Sequence, residues 1–290
     1  LEKGFSPTTM INDTPLFFDS SVTGGQPWEP KNYEGGFEGP MTMKRGLARS
    51  RNMISIRILQ TITPQYGQEW VTRFGFDAEK HPPYLTMALG AGAVTPWQMV
   101  SAYAVFANGG YRIPPFIVRD IQDDKGTILA QAQPTPAGDD ALRAIDPRNA
   151  FLMDSMLRDV TIYGTAGRAS AQLKRRDLAG KTGTTNEHVD AWFCGYQRTI
   201  VGCSWIGFDQ PKNLGNGETG GSAALPMWIG YMARALKDVP ESFMPQPEGL
   251  VALDAVGGGK GPSKEFFYKE NVPQQVEEEP PQDPNAKPVD

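Results

Sequence analysis

"GKTGTTNEHVDAWFCGY", Gly180 to Tyr196, is the stretch that decides how this chain folds and what it handles. Its Gly-Lys-Thr is either the phosphate grip of a nucleotide-binding loop or the edge of a strand that holds a peptide. A phosphate-binding loop requires Gly-x-x-x-x-Gly-Lys-Ser/Thr, with the first glycine letting the backbone curl around the phosphates. Five residues before Gly180 stands Arg175, a long side chain where that loop needs none. The flanks disagree as well, because "LKRRDLAG" is no buried apolar strand and "TGTTNEHVDAWFCGY" opens no helix. Thr, Gly and aromatic residues in alternation are strand chemistry. On a strand, Lys181 and Gly183 share one face and Thr182 and Thr184 the other. Glycine there marks close approach of another backbone, as when a peptide lies along a sheet edge. Lys and Thr beside that track offer a cation and hydroxyls to a carboxylate. Taken alone, Gly-Lys-Thr-Gly also fits a surface turn.

The chain has 290 residues, enough for one large domain or two ordinary ones, and a net charge of −5. That charge argues against a nucleic-acid binder built on a basic field. Most of it sits in the last twenty residues, which hold five acids, one lysine and five prolines. Residues 268–290 are read as an acidic, Pro-rich, disordered tail and 1–267 as the folded domain. No apolar run approaches the ~20 residues that span a bilayer. Two cysteines, Cys194 and Cys203, and two isolated histidines, His81 and His188, give no metal-ligand spacing, so no metal or cofactor is expected. His188 is placed on a solvated turn.

"LEKG" at the start reads as the last turn of a helix closed by glycine, so the chain is expected to begin inside an element. Residues 13–40 read as a long irregular loop, 41–49 and the stretch from Met53 as helices, with Ile54, Ile58 and Leu59 on one face. Thr95-Pro96 starts a further helix that Asn108-Gly109-Gly110 stops. A hairpin follows, turning at Asp123–Gly126, then a loop over 132–147 and a helix opening at Pro147. Strands are expected at 190–196 and 200–208, and "ALPMWIGYMARALKDV" closes the core as an amphipathic helix. If Gln197 and Ile200 flank a two-residue turn, Cys194 and Cys203 lie opposite one another. A cross-strand disulfide and a pair of buried thiols both fit.

A second signal is "SRN", Ser50-Arg51-Asn52, between two helical stretches. A hydroxyl and an amide two residues apart can both face a cleft, although Ser50 alone reads as a helix N-cap. Joined to Lys-Thr-Gly-Thr further on, it matches two parts of the set Ser-x-x-Lys, Ser-x-Asn, Lys-Thr-Gly. With "GPMTMKRGLARSRN", "LTMALGAGAVTPWQMVSAYAVFANGGY", "RRDLAGKTGTTNEHVDAWFCGY" and "SWIGFD", the chain resembles the transpeptidase domain of class A, bifunctional penicillin-binding proteins of the 1A type.

The resemblance implies an α+β fold, an antiparallel sheet flanked by helices on both faces with the Lys181 strand at its active edge. It implies a peptidoglycan D,D-transpeptidase that forms a serine acyl-enzyme and is a β-lactam target. Ser50, Asn52 and Lys181 then carry catalytic roles, and Thr182, Gly183, Thr184 and Thr185 bind substrate, with the Thr184 backbone N–H as half of an oxyanion hole. The implied partners are stem peptides ending in D-Ala-D-Ala, β-lactams and other cell-wall synthesis proteins, with no nucleic acid. The implied setting is extracytoplasmic, the parent anchored in the bacterial inner membrane but this segment making no membrane contact. None of the twelve serines has lysine three residues on, so the acylating Ser-x-x-Lys is expected upstream and the chain alone inactive. A D,D-carboxypeptidase or β-lactamase-like hydrolase, a non-catalytic β-lactam-site-like binding module and, remotely, a nucleotide-binding enzyme are the alternatives.

Overall fold

The computed structural model describes residues 1–23, 25–254 and 264–272. Its helices are α1 (Ser20–Thr23), α2 (Met43–Ala48), α3 (Asn52–Ile62), α4 (Pro64–Thr72), α5 (Pro96–Ala107), α6 (Pro147–Ile162), α7 (Gly167–Leu173) and α8 (Leu225–Ala235). The strands are β1 (Met10–Asp13), β2 (Gly39–Thr42), β3 (Asp120–Gln122), β4 (Ile128–Gln131), β5 (Ala179–Thr184), β6 (Ala191–Gln197), β7 (Ile200–Ile206), β8 (Leu250–Asp254) and β9 (Lys264–Tyr268). Every strand pair is antiparallel.

The centre is the three-stranded sheet β5-β6-β7, with β5 at its edge. Alternation along the strands sends side chains to two faces, and helices cover both. On one face Ala191 and Phe193 pack under Trp228, Ile229 and Met232 of α8. The Phe193 and Trp228 rings meet edge to face with centroids 4.9 Å apart, and the Trp228 indole N–H donates to Gly202 O at 3.1 Å. On the other face Ala179 and Tyr196 pack against Ala107 of α5 and Leu157 of α6. The Tyr196 hydroxyl donates to the buried carboxylate of Asp154 on α6 at 3.1 Å.

Local chemistry sets the helix limits. Thr95 and Gln98 form a reciprocal capping box at the start of α5, with Pro96 at its first position. Pro147 opens α6 behind the Asp146 cap. Thr63 and Pro64 do the same for α4. The expected two-residue turn pairs Gln197 with Ile200 and sets Cys194 opposite Cys203, where the two are joined by a disulfide. The irregular stretch 13–40 ends in β2, which returns to pair with β1 and carries the chain into α2. The strands β8 and β9 pair, Tyr268 at the end of β9 is buried beside Leu152 and Leu250, and a short turn over Lys269–Asn271 follows. Most of the expected tail, 273–290, lies outside the described residues.

Candidate active site

Lys181 lies in the middle of β5, and its ammonium reaches out of the sheet to the helical layer. It donates to Ser50 Oγ at 2.8 Å, to Thr182 O at 3.0 Å and, at 3.5 Å, to Thr182 Oγ1. Part of the residue remains accessible, but the ammonium is short of water, and that desolvation pulls its pKa down to about 8. A lysine so tuned stands one hydrogen bond from a hydroxyl with which it can exchange a proton.

The register of β5 decides where its backbone points. Thr185 N–H donates to Asp190 O, and the same register pairs Thr184 with Ala191 and Gly183 with Trp192. Because hydrogen-bonded and non-bonded pairs alternate in an antiparallel ladder, Thr184 and Thr182 are non-bonded pairs. Their N–H and C=O groups therefore face the outer edge of β5. The Lys181 bond to Thr182 O agrees with that geometry.

Ser50 sits between α2 and α3 in the left-handed region at φ 54°, a conformation uncommon outside glycine. It is not an N-cap, since α3 begins behind Arg51, whose side chain makes no cap bond. Asn52 is the first residue of α3. Its backbone N–H donates to Asn32 Oδ1 at 2.9 Å, and its side-chain amide donates to Lys31 O at 2.7 Å. One amide hydrogen and the amide oxygen are left for a ligand. Asn32 in turn donates to the fully buried carboxylate of Asp13 at 2.9 Å. Arg51 is buried as well and pairs with Glu38 and Glu34. Burial by itself would raise Glu38, but Arg51, Arg49 and Arg45 around it hold its carboxyl below the usual range. The middle residue of Ser-x-Asn thus has a structural task, fastening the 31–38 segment beneath Asn52.

Thr182 and Thr184 share a face of β5. The Thr182 hydroxyl lies 2.8 Å from that of Thr165, and Thr184 Oγ1 accepts the Gly220 N–H at 3.0 Å. The backbone that comes close at Gly183 is the chain's own. A Cβ on Gly220 would lie 2.3 Å from Trp192 O and 2.5 Å from Gly183 O, so only glycine lets the start of the Gly220–Ala224 π turn lie on the sheet. Thr185 stands past the strand, and its hydroxyl oxygen accepts the N–H groups of Val189 and Asp190 to close the turn there. His188 is not on a freely solvated turn. Its Nδ1 lies 2.9 Å from Glu218 O and its Nε2 3.4 Å from the Tyr33 hydroxyl, so it bridges three segments.

Ser50, Lys181 and Thr182 therefore meet in one groove between the helices and the sheet edge, although Ser50 and Lys181 are 131 residues apart in sequence. Three cavities of about 360, 570 and 620 Å³ lie elsewhere, and none is lined by Ser50, Asn52 or Lys181.

A family model described as the penicillin binding protein transpeptidase domain matches residues 1–221. The chain belongs to that family. It is 45% identical over 272 residues to penicillin-binding protein 1A of Neisseria lactamica, covering 94% of this chain and 33% of the relative. Identity to penicillin-binding protein 1A of Pseudomonas aeruginosa is 38%, over 97% of this chain and 40% of that protein. The crystal structure of penicillin-binding protein 1A from Haemophilus influenzae superposes with a TM-score of 0.87 at 34% identity, covering 95% of this chain and 46% of that one. The chain thus spans about a third of the length of the Neisseria relative. An α+β fold with antiparallel sheets, that of the penicillin-binding protein transpeptidase domain, follows for this family member.

Three elements of the groove escaped sequence reasoning: Asn32, Thr165 and Gly220. Each meets the site through a contact between segments far apart in the chain. Only Gly220 carried a signal, as one of a Gly-Gly pair opening a helical pattern.

Proposed function

We propose that this chain is the Ser-x-Asn and Lys-Thr-Gly portion of a peptidoglycan D,D-transpeptidase whose acylating Ser-x-x-Lys lies upstream of Leu1. The single observation that carries the reading is the 2.8 Å bond from Lys181 Nζ to Ser50 Oγ, which unites the two motifs present. A cavity of about 360 Å³ beside Leu1, apart from the Ser50–Lys181 groove and lined by Ile58, Leu59, Val71, Phe106 and Met153, offers that upstream segment an apolar seat. The 290-residue chain alone is inactive.

In the reaction, the upstream serine oxygen attacks the carbonyl between the last two D-alanines of a stem peptide. A C–O bond forms, the C–N bond breaks, and the serine proton ends on the departing D-alanine amine by way of Ser50. Lys181 orients Ser50 and supplies positive potential. Asn52 holds the substrate amide with its remaining amide groups. Thr182 and Thr184 take the terminal carboxylate, and the outward Thr184 N–H is one oxyanion donor, a contact typically worth ~10²–10³-fold in rate. An amine of a second stem peptide then attacks the ester, forming the cross-link and freeing the serine. β-Lactams stop at the acyl stage. The substrate places the enzyme outside the cytoplasm, with its parent anchored in the inner membrane beside other cell-wall synthesis proteins.

The test is a product assay on a form extended upstream through Ser-x-x-Lys, given a pentapeptide donor and an amine acceptor. Cross-linked product with released D-alanine is expected. Release without cross-linking would mark a carboxypeptidase instead, and no turnover with undiminished β-lactam binding would mark a binding module.

A further inference from the structure

We propose that Thr165 is a third hydroxyl of the carboxylate-binding set, receiving a ligand's carboxylate together with Thr182 and Thr184. This rests on the transpeptidase reading above and adds to it a residue outside Ser-x-Asn and Lys-Thr-Gly.

An ammonium has three N–H donors and no acceptor. Those of Lys181 are directed at Ser50 Oγ, Thr182 O and Thr182 Oγ1. None is left over for an anion, so a carboxylate at this edge must be met by hydroxyls. Thr184 offers one O–H, since its oxygen already accepts Gly220 N–H. Thr182 and Thr165 lie 2.8 Å apart, so one hydroxyl donates to the other. Whichever hydroxyl donates to the other, the second keeps its own O–H to offer a ligand. The two thus act as one donor unit, and removing either disturbs it. Thr182 also takes the weak bond from Lys181, which polarises its O–H.

Thr165 is exposed, yet its backbone is fixed. Its N–H donates to Ala48 O at 3.0 Å, at the end of α2 just before Ser50. The preceding Gly164 is pressed so closely that a Cβ there would lie 2.3 Å from Ala48 O and 2.8 Å from Val160 Cα. The segment is therefore wedged between α2 and α6, and holds its hydroxyl over β5. A threonine there for packing alone would have no reason to aim its oxygen at Thr182.

The test uses the upstream-extended form and two probes, benzylpenicillin and its methyl ester, which lacks the free carboxylate. Thr165→Val should lower the second-order acylation rate with benzylpenicillin by roughly tenfold or more, about 1.4 kcal/mol. The ester's rate should change less than about twofold. Thr165→Ser should recover most of the loss, and Thr165→Ala gives the same comparison without valine's second methyl. Equal losses for acid and ester, or no loss for either, would overturn the inference while leaving the transpeptidase reading in place. A folded wild-type form that acylates neither probe would overturn both.

Discussion

Replacing Lys181 by methionine should make the protein more stable at neutral pH, and by an amount that depends on pH in a set way. In the folded chain the ammonium has lost water, and its pKa falls from the ordinary 10.5 to about 8. Each pKa unit is 1.36 kcal/mol, so holding the charge in place costs up to about 3 kcal/mol, net of its hydrogen bonds. Some accessibility of the residue makes this an upper bound. Below pH 8 both folded and unfolded chains carry the proton and the cost is fully present. Between pH 8 and 10.5 the unfolded lysine keeps its proton and the folded one has lost it, so stability rises with pH there. Lys181→Met has no such titration. Urea unfolding of both proteins at intervals from pH 7 to 10 isolates the effect, because every other titrating group is common to the pair. The advantage of the methionine protein should shrink by about 1–3 kcal/mol over that range. A stability difference that stays constant with pH would refute the desolvated-lysine argument.

Reduction of Cys194–Cys203 should lower stability by about 2–3 kcal/mol, the loop-entropy value for so short a closed segment, as read by denaturation with and without reductant. An unchanged midpoint would show that the bond adds nothing. Asp177 is fully buried among Arg175, Gln197 and the Ser242 N–H. Burial alone would raise it, but those hydrogen bonds outweigh burial and its pKa is lowered. Asp177→Ala should therefore cost about 3–5 kcal/mol at neutral pH, a gap that narrows as pH falls below the ordinary carboxylate range and Asp177 takes up a proton. Gly220→Ala forces a Cβ onto two carbonyl oxygens and should cost about 1–3 kcal/mol. Gly221→Ala, whose nearest neighbour would be at 3.6 Å, should stay within about 1 kcal/mol in the same thermal scan.

Elements whose instructions are local were legible in the sequence. Thr95-Pro96 and Pro147 announce α5 and α6, and the turn between Gln197 and Ile200 fixes the register that sets the cysteines opposite each other. Thr63-Pro64 carries the same Thr-Pro signal for α4, set directly against the end of α3 with only Thr63, and no glycine, to separate the two helices. The pairs β1–β2 and β8–β9 escaped for another reason. Met10–Asp13 and Gly39–Thr42 are four residues each and acquire strand character only by finding one another across an irregular stretch. In the groove, motif spacing indicated Ser50, Asn52 and Lys181, because the chemistry restricts which residue types serve. The neighbours that hold them were not readable. Asn32 beneath Asn52 and Thr165 beside Thr182 are set by packing, and nothing local distinguishes them from other polar loop residues.

The central claim is that this chain is a transpeptidase portion completed by an upstream serine. Labelling with a fluorescent penicillin tests it most directly, applied to the 290-residue chain and to the form extended through Ser-x-x-Lys. The account predicts covalent, denaturation-resistant labelling of the extended form and none of the short one. Covalent labelling of the short chain, or a folded extended form that takes no label, would contradict it.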